Sequence, residues 1–142
     1  MRMVVLLGLV GLVGVSRSVA QERCDEATVR RLAPMPVAQI AAPDIYFNTR
    51  VGEPPAVGTT AMEALGRAHA SERTNQRPYV FRLVQVAVSA DQSMAYDDGS
   101  AHIEYDETAT GRHISYEMTY LRVWKVVDGR CRIAASYGRA EE

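Results

Sequence analysis

The sequence predicts a domain of the α+β class, in which helices come first and strands follow. Helix signals, meaning caps and proline stops, are confined to residues 25–70. After Pro78, long runs of apolar, aromatic and β-branched residues alternate with short turn segments. Between the last two runs stands Asp128-Gly129, a pair typical of a two-residue hairpin turn. The pattern therefore places most of a sheet in the C-terminal half.

Helices are predicted over residues 25–32, 37–42 and 59–70. The first has acidic residues at its start and arginines at its end, as the helix dipole favours. Prolines stop both of the first two segments, because proline cannot continue a helix. The third contains Thr60 followed three residues later by Glu63, a spacing typical of a capping box.

Strands are predicted over residues 44–48, 79–89, 94–106, 112–127 and 130–138. Gly99, inside the second long strand, is interpreted as a bulge. Trp124 is expected to be largely buried, because a side chain of that size dominates local packing. In the last strand, a shift of one residue would turn Arg130 and Arg132 toward the core and bury two guanidinium groups. Four residues are therefore expected to face the core: Cys131, Ile133, Ala135 and Tyr137.

Residues 1–20 have the features of a cleavable signal peptide. Arg2 precedes an apolar run of 13 residues, shorter than the roughly 20 that a membrane-spanning helix needs. Ser18-Val19-Ala20 provides the small residues of a cleavage site before Gln21. No lipoprotein box precedes Cys24. We therefore expect an exported protein, periplasmic or secreted, with no stable membrane anchor and a single domain over residues 21–142.

Charge and cysteine content restrict the partners and the compartment. Loss of the two arginines in residues 1–20 would reduce the 16 basic residues to 14, against 17 acidic residues. No basic stripe is present, so nucleic acid is excluded as an expected partner. Cys24 and Cys131 both lie in the exported part, where an oxidising compartment permits a disulfide. The alternative is that each is a small buried apolar residue.

The order of elements resembles that of the nuclear-transport-factor-2-like superfamily, which includes ketosteroid isomerase and the SnoaL-like polyketide cyclases. The resemblance covers residues 44–137. It rests on these segments: Asp44-Ile45-Tyr46-Phe47 with the loop ending at Gly58, Ser89-Ala90-Asp91 with Ala95-Tyr96, and Val123-Trp124-Lys125 with Asp128-Gly129. It implies a cone-shaped, curved antiparallel sheet packed against the N-terminal helices.

The catalytic residues of the isomerase are not matched. Its catalytic aspartate falls at Thr49, which cannot act as a carboxylate base. Its oxyanion-hole tyrosine lies in the first helix, and residues 25–42 contain no tyrosine. Isomerase-type catalysis is therefore disfavoured, and whether the chain is an enzyme stays open.

Several polar side chains are candidates to line the cone. His102 and Glu104 are two apart on one strand, so they share a face and could act as a general acid–base pair. The alternative is ordinary polarity on the solvated face of a sheet. Tyrosines suit a small-molecule pocket, although they are also common strand formers. The candidate ligand-binding tyrosines are Tyr46, Tyr96, Tyr116 and Tyr120.

No metal or cofactor is expected. His69, His102 and His113 are scattered along the chain, and no HExxH or CxxC motif occurs. The preferred interpretation is an exported domain that binds a small organic molecule. One alternative is a lyase, cyclase or isomerase-type enzyme that uses His102 and Glu104. The other is a homodimeric interaction module formed through the outer face of the sheet.

Overall fold

A computed structural model describes residues 21–50 and 52–140; the predicted signal peptide lies outside the described residues. The helices are α1 (Glu26–Leu32), α2 (Val37–Ile40) and α3 (Thr59–Ser71). The strands are β1 (Ala41–Asn48), β2 (Ala56–Val57), β3 (Arg73–Thr74), β4 (Val80–Val88), β5 (Met94–Glu107), β6 (His113–Val127) and β7 (Arg130–Ala140). Within these ranges no helix is long and apolar enough to cross a bilayer. The α+β class is confirmed.

The seven strands form one strongly curled sheet in the order β2-β1-β7-β6-β5-β3, with β4 also paired to β5. The curvature confirms the predicted cone. Most neighbouring strands are antiparallel, as expected, and β1 pairs with β7 in parallel. No hairpin fixes their relative direction, because α3 and three further long strands separate them along the chain.

The start of α3 differs from the predicted capping box. The N-cap is Gly58, with φ at +85°, and no side chain caps the helix. Its N–H donates to the carbonyl of Ile45 (2.8 Å), and its own carbonyl accepts from the N–H of Met62 (3.0 Å). Thr60 is the second residue of the helix and Glu63 lies beyond its first turn, so the predicted capping box is wrong. Attachment to β1 fixes this helix start instead.

A disulfide between Cys24 and Cys131 ties the N-terminal segment to the sheet. The two Cα atoms are 5.1 Å apart, within the range that a disulfide requires. Both residues are buried. Next to the disulfide, the N–H of Glu22 donates to the carbonyl of Gly129 (2.8 Å). The segment before α1 is therefore fixed at the hairpin between β6 and β7.

That hairpin has the predicted two-residue turn. Asp128 and Gly129 have φ values of +49° and +74°, the positive values that a type I′ turn needs. Val127 and Arg130 pair directly across it. The local sequence signal is therefore sufficient to fix the register at this end of the sheet.

The hydrophobic core lies on the face of the sheet that packs against α1, which we call the inner face. Trp124 is fully buried there beside Ile45, Ile133 and Val29, as predicted. On the two longest strands, alternate residues belong to the inner face: Ala95, Asp97, Gly99, Ala101 and Ile103 of β5, and Tyr116, Met118, Tyr120, Arg122 and Trp124 of β6. The residues between them form the outer face.

A bulge in β7 changes which of its residues face the core. Cys131 and Ile133 are buried, as expected. Trp124 pairs with Ile133, but the preceding residue of β6 pairs with Ala135, which leaves Ala134 as an extra residue. The alternation shifts there, so Ser136 is buried and Tyr137 is 42% exposed. The predicted inward orientation is therefore wrong for Ala135 and Tyr137.

A second bulge lies opposite Gly99 rather than at it. The extra residue is Val84 in β4, where the register with β5 shifts. A Cβ atom at Gly99 would lie 2.7 Å from the hydroxyl of Tyr120 and would clash with the carbonyl of Arg82. Glycine is therefore required because the Tyr120 side chain lies directly over the backbone here.

Candidate functional site

A buried ion pair lies on the inner face next to Trp124. Asp97 is fully buried and Arg122 is 3% exposed. The Arg122 Nε donates to both oxygens of the carboxylate (3.1 and 3.2 Å), and its Nη2 makes a further contact with Oδ2. The indole Nε1 of Trp124 also donates to Asp97 Oδ1 (2.5 Å). The carboxylate is fully engaged by these donors and is not free to act as a base.

Arg122 also holds α1 against the sheet. Its Nη1 donates to the carbonyl of Ala33, the C-cap residue of α1 (2.9 Å). The guanidinium carbon lies 4.7 Å from the centre of the Tyr120 ring, within the range of a cation–π contact. The ion pair therefore positions both the end of α1 and Tyr120, the neighbouring inner-face residue of β6.

Four aromatic side chains lie on the inner face beyond the ion pair. We call Tyr79, Phe81, Tyr116 and Tyr120 the aromatic wall. The Phe81 ring stands edge-on to Tyr120, with centroids 5.9 Å apart, and edge-on to Tyr79 at 6.1 Å. Burial raises the pKa of Tyr116 and of Tyr120, which favours their neutral form. The Tyr120 hydroxyl is buried and has no hydrogen-bond partner among the described residues.

The wall is only partly covered. Phe81 is 41% exposed and Tyr79 is 38% exposed, although both belong to the concave side. Beside Phe81 is a recess of about 150 Å³ lined by Ala33, Pro34, Leu83, Tyr120 and Arg30. Arg30 forms an ion pair with Glu26 (2.8 Å), so its charge is partnered. The recess is therefore a mainly apolar notch between the end of α1 and β4.

The structure divides the four predicted ligand-binding tyrosines between two faces. Tyr116 and Tyr120 belong to the wall, as above. Tyr96 lies on the outer face, 40% exposed, one position away from buried Asp97. The Tyr46 ring contacts that of exposed Tyr137 at a tilt of 35°, with ring centroids 5.4 Å apart. The prediction that all four line the cone is therefore wrong for Tyr46 and Tyr96.

His102 and Glu104 share a face, as predicted, but it is the outer face. The Nδ1 atom of His102 lies 2.8 Å from a carboxylate oxygen of Glu117. Glu104 is paired with the Nε atom of Arg77 at 3.0 Å, whereas the nearest approach of the two candidates is 3.9 Å. In the described part of the chain, no three His, Cys, Asp or Glu side chains are arranged to hold a metal ion. Both candidates therefore belong to surface ion pairs outside the wall.

Thr49 lies where the resemblance places the catalytic position of the isomerase. It follows directly after β1, and its Cβ is 3.4 Å from the point that a Cβ at Gly138 would occupy. Gly138 pairs with Tyr120, so Thr49 is near the wall. A hydroxyl at this place can donate or accept a hydrogen bond but cannot act as a carboxylate base.

Phe81 and Tyr79 were not among the predicted site residues. Their signal is the spacing of Tyr79, Phe81 and Leu83, which places three large apolar side chains on one face of a strand. Alternation alone assigns them to the core. Their exposure depends instead on how much of the inner face the short N-terminal helices cover, which alternation along a strand does not show.

No family model matches the chain, and no curated protein sequence matches it. Solved structures, in contrast, do align with the chain. A ketosteroid isomerase-like protein from Erwinia carotovora atroseptica aligns with a TM-score of 0.66 at 14% identity, over 82% of this chain and 87% of that one. An uncharacterised protein with a cystatin-like fold from Caulobacter vibrioides aligns at 0.62 and 14%, over 82% and 81%.

An NTF2-like protein of unknown function from Pseudomonas putida aligns with a TM-score of 0.56 at 17% identity, over 81% of this chain and 78% of that one. At such identities the likeness shows the fold alone. The chain therefore has the nuclear-transport-factor-2-like fold that its sequence resembles, with a divergent sequence.

Proposed function

We propose that this protein binds a small, ring-containing organic molecule of low polarity on the aromatic wall. The observation that carries the proposal is the 41% exposure of Phe81 on the concave face of the sheet. Large apolar side chains left exposed together in a concavity are characteristic of ligand sites. The adjoining recess of about 150 Å³ gives a ring space to enter beside Phe81.

The chemistry of the wall fits binding better than catalysis. Edge-on aromatic contacts contribute about 0.5–1.5 kcal/mol each beyond area burial, and they orient a bound ring. On this face of β5, Asp97 is two residues from Gly99, which pairs with Tyr120, and its carboxylate already accepts hydrogen bonds from Arg122 and Trp124. His102 and Glu104 lie on the opposite face, so a lyase, cyclase or isomerase-type reaction at the wall would not use them.

Replacement of Phe81 by alanine is expected to weaken binding of a neutral apolar fluorophore, N-phenyl-1-naphthylamine, by about five- to tenfold. The estimate follows from loss of roughly half the burial energy of a phenylalanine, about 1–1.5 kcal/mol. The measurement is a fluorescence titration of the mature, folded protein.

Tyr96→Ala is the matched control, because Tyr96 has nearly the same exposure, 40%, but lies on the outer face. It should leave the dissociation constant unchanged. Equal weakening by both variants, or by neither, would contradict a site on the aromatic wall.

We propose further that the protein is exported and that the mature chain begins at Gln21. The short apolar run and the small residues before Gln21 support this, and so does a closed disulfide, since disulfides persist in oxidising compartments. Mass spectrometry of protein recovered from the periplasm or medium of an expressing bacterium should give a chain starting at Gln21. A mature protein that retains Met1 would contradict the proposal.

A further inference from the structure

A second and larger recess lies away from the aromatic wall, where α1, α2 and the start of β7 meet. Its volume is about 370 Å³. The floor is apolar, formed by Leu32, Met35, Ile40 and Cys131, and the rim carries Arg31, Arg130 and Arg132 with Glu22. We call it the arginine recess. It shares no lining residue with the notch beside Phe81.

The charges at its rim are unbalanced. Glu22 is the one acid among the lining residues; it pairs with Arg31 (2.5 Å) and also accepts a hydrogen bond from the N–H of Cys131 (2.9 Å). Arg132 donates to the carbonyl of Ala41 (3.3 Å). Arg130 forms no ion pair or side-chain hydrogen bond with any residue that the structure describes. Three cations therefore face one acid, in a chain whose net charge is −1.

We propose that the arginine recess binds a small organic carboxylate with a short apolar body. The planar guanidinium fork of arginine matches a carboxylate, which it can bind through two parallel hydrogen bonds. The Leu32 and Met35 side chains offer an apolar surface to a hydrocarbon tail. A volume of about 370 Å³ lies within the usual size of small-molecule sites. This inference does not depend on the aromatic wall.

The test is calorimetric titration of the mature, disulfide-bonded protein with hexanoate, hexanol and inorganic phosphate at low ionic strength. Hexanoate should bind with a stoichiometry of one, and the other two compounds should bind at least tenfold more weakly. Hexanol lacks the charge, and phosphate lacks the apolar body. Phosphate binding as tight as that of hexanoate would overturn the assignment to carboxylates. Hexanol binding as tight as that of hexanoate would show that the arginines do not contribute to binding, which would also overturn it.

Arg130→Gln should weaken hexanoate binding by about tenfold, as expected for loss of a charge-assisted hydrogen bond. Arg130 is exposed, so the variant should fold normally, which its melting temperature will verify. Arg139→Gln, an exposed arginine on the same strand, is the matched control and should leave hexanoate binding unchanged. Phe81→Ala should also leave it unchanged. Unaltered affinity in Arg130→Gln would refute the inference, whatever the outcome for the aromatic wall.

Discussion

Replacement of Asp97 by alanine is expected to lower the free energy of unfolding by about 3–5 kcal/mol, the usual cost of removing one partner from a buried ion pair. The carboxylate accepts hydrogen bonds from the guanidinium of Arg122 and the indole of Trp124, all three being essentially buried. Without it, a guanidinium remains buried with no opposite charge. That loss is large relative to the roughly 5–15 kcal/mol that stabilises a domain.

Urea unfolding followed by circular dichroism measures this change. Asp44→Ala is the matched control, because Asp44 also forms an ion pair, with Lys125 at 2.9 Å, but its side chain is 68% exposed. The control should leave the free energy of unfolding nearly unchanged, because an ion pair that water screens contributes little to stability. The joint replacement Asp97→Leu with Arg122→Met should be less destabilising than Asp97→Ala alone, because no unpaired charge stays buried. A loss from Asp97→Ala no greater than that from Asp44→Ala would contradict the buried-pair interpretation.

Joint replacement of Cys24 and Cys131 by serine is expected to cost about 4–5 kcal/mol of stability. The disulfide spans 107 residues of the chain, and in the chain-entropy model a loop of this size restricts the unfolded state strongly. Serine hydroxyls at two buried positions would add a smaller cost. The variant should therefore unfold at a much lower urea concentration than the oxidised parent.

Reduction of the parent protein gives an independent measurement of the same effect. Dithiothreitol should shift the urea midpoint of the parent toward that of the variant and leave the variant unchanged. Equal midpoints for oxidised and reduced parent would show that the disulfide contributes nothing to stability. A strong dependence on oxidation would also agree with the export that we propose, because a cytosolic chain would lack this stabilisation.

Burial of Trp124, the Asp128-Gly129 turn and the order of the helices and the five longer strands could all be predicted from the sequence, whereas the short strands β2 and β3 were not predicted. Each rests on residues close together in the chain, where turn chemistry, proline stops and alternation act directly. Asp97 and Arg122 carried a usable signal as well. Both are in phase with the buried positions of their strands, Asp97 with Ala95 and Arg122 with Trp124. A charged residue on each apolar face of two paired strands indicates a buried ion pair.

Only the tertiary structure decided which residues face the cone. Val84 and Ala134 are extra residues that shift the alternation, and nothing in the local pattern marks either of them. A shift of one residue turns a side chain to the other face, which is why Tyr137 is exposed. The exposure of Phe81 and the position of Arg130 over an apolar floor likewise depend on elements far apart in the chain. The sequence by itself determined the fold class, the turn at Asp128-Gly129 and the burial of Trp124. Packing between segments far apart in the chain decided the bulges and the two recesses, because strand register and the covering of a sheet face depend on both of the elements in contact.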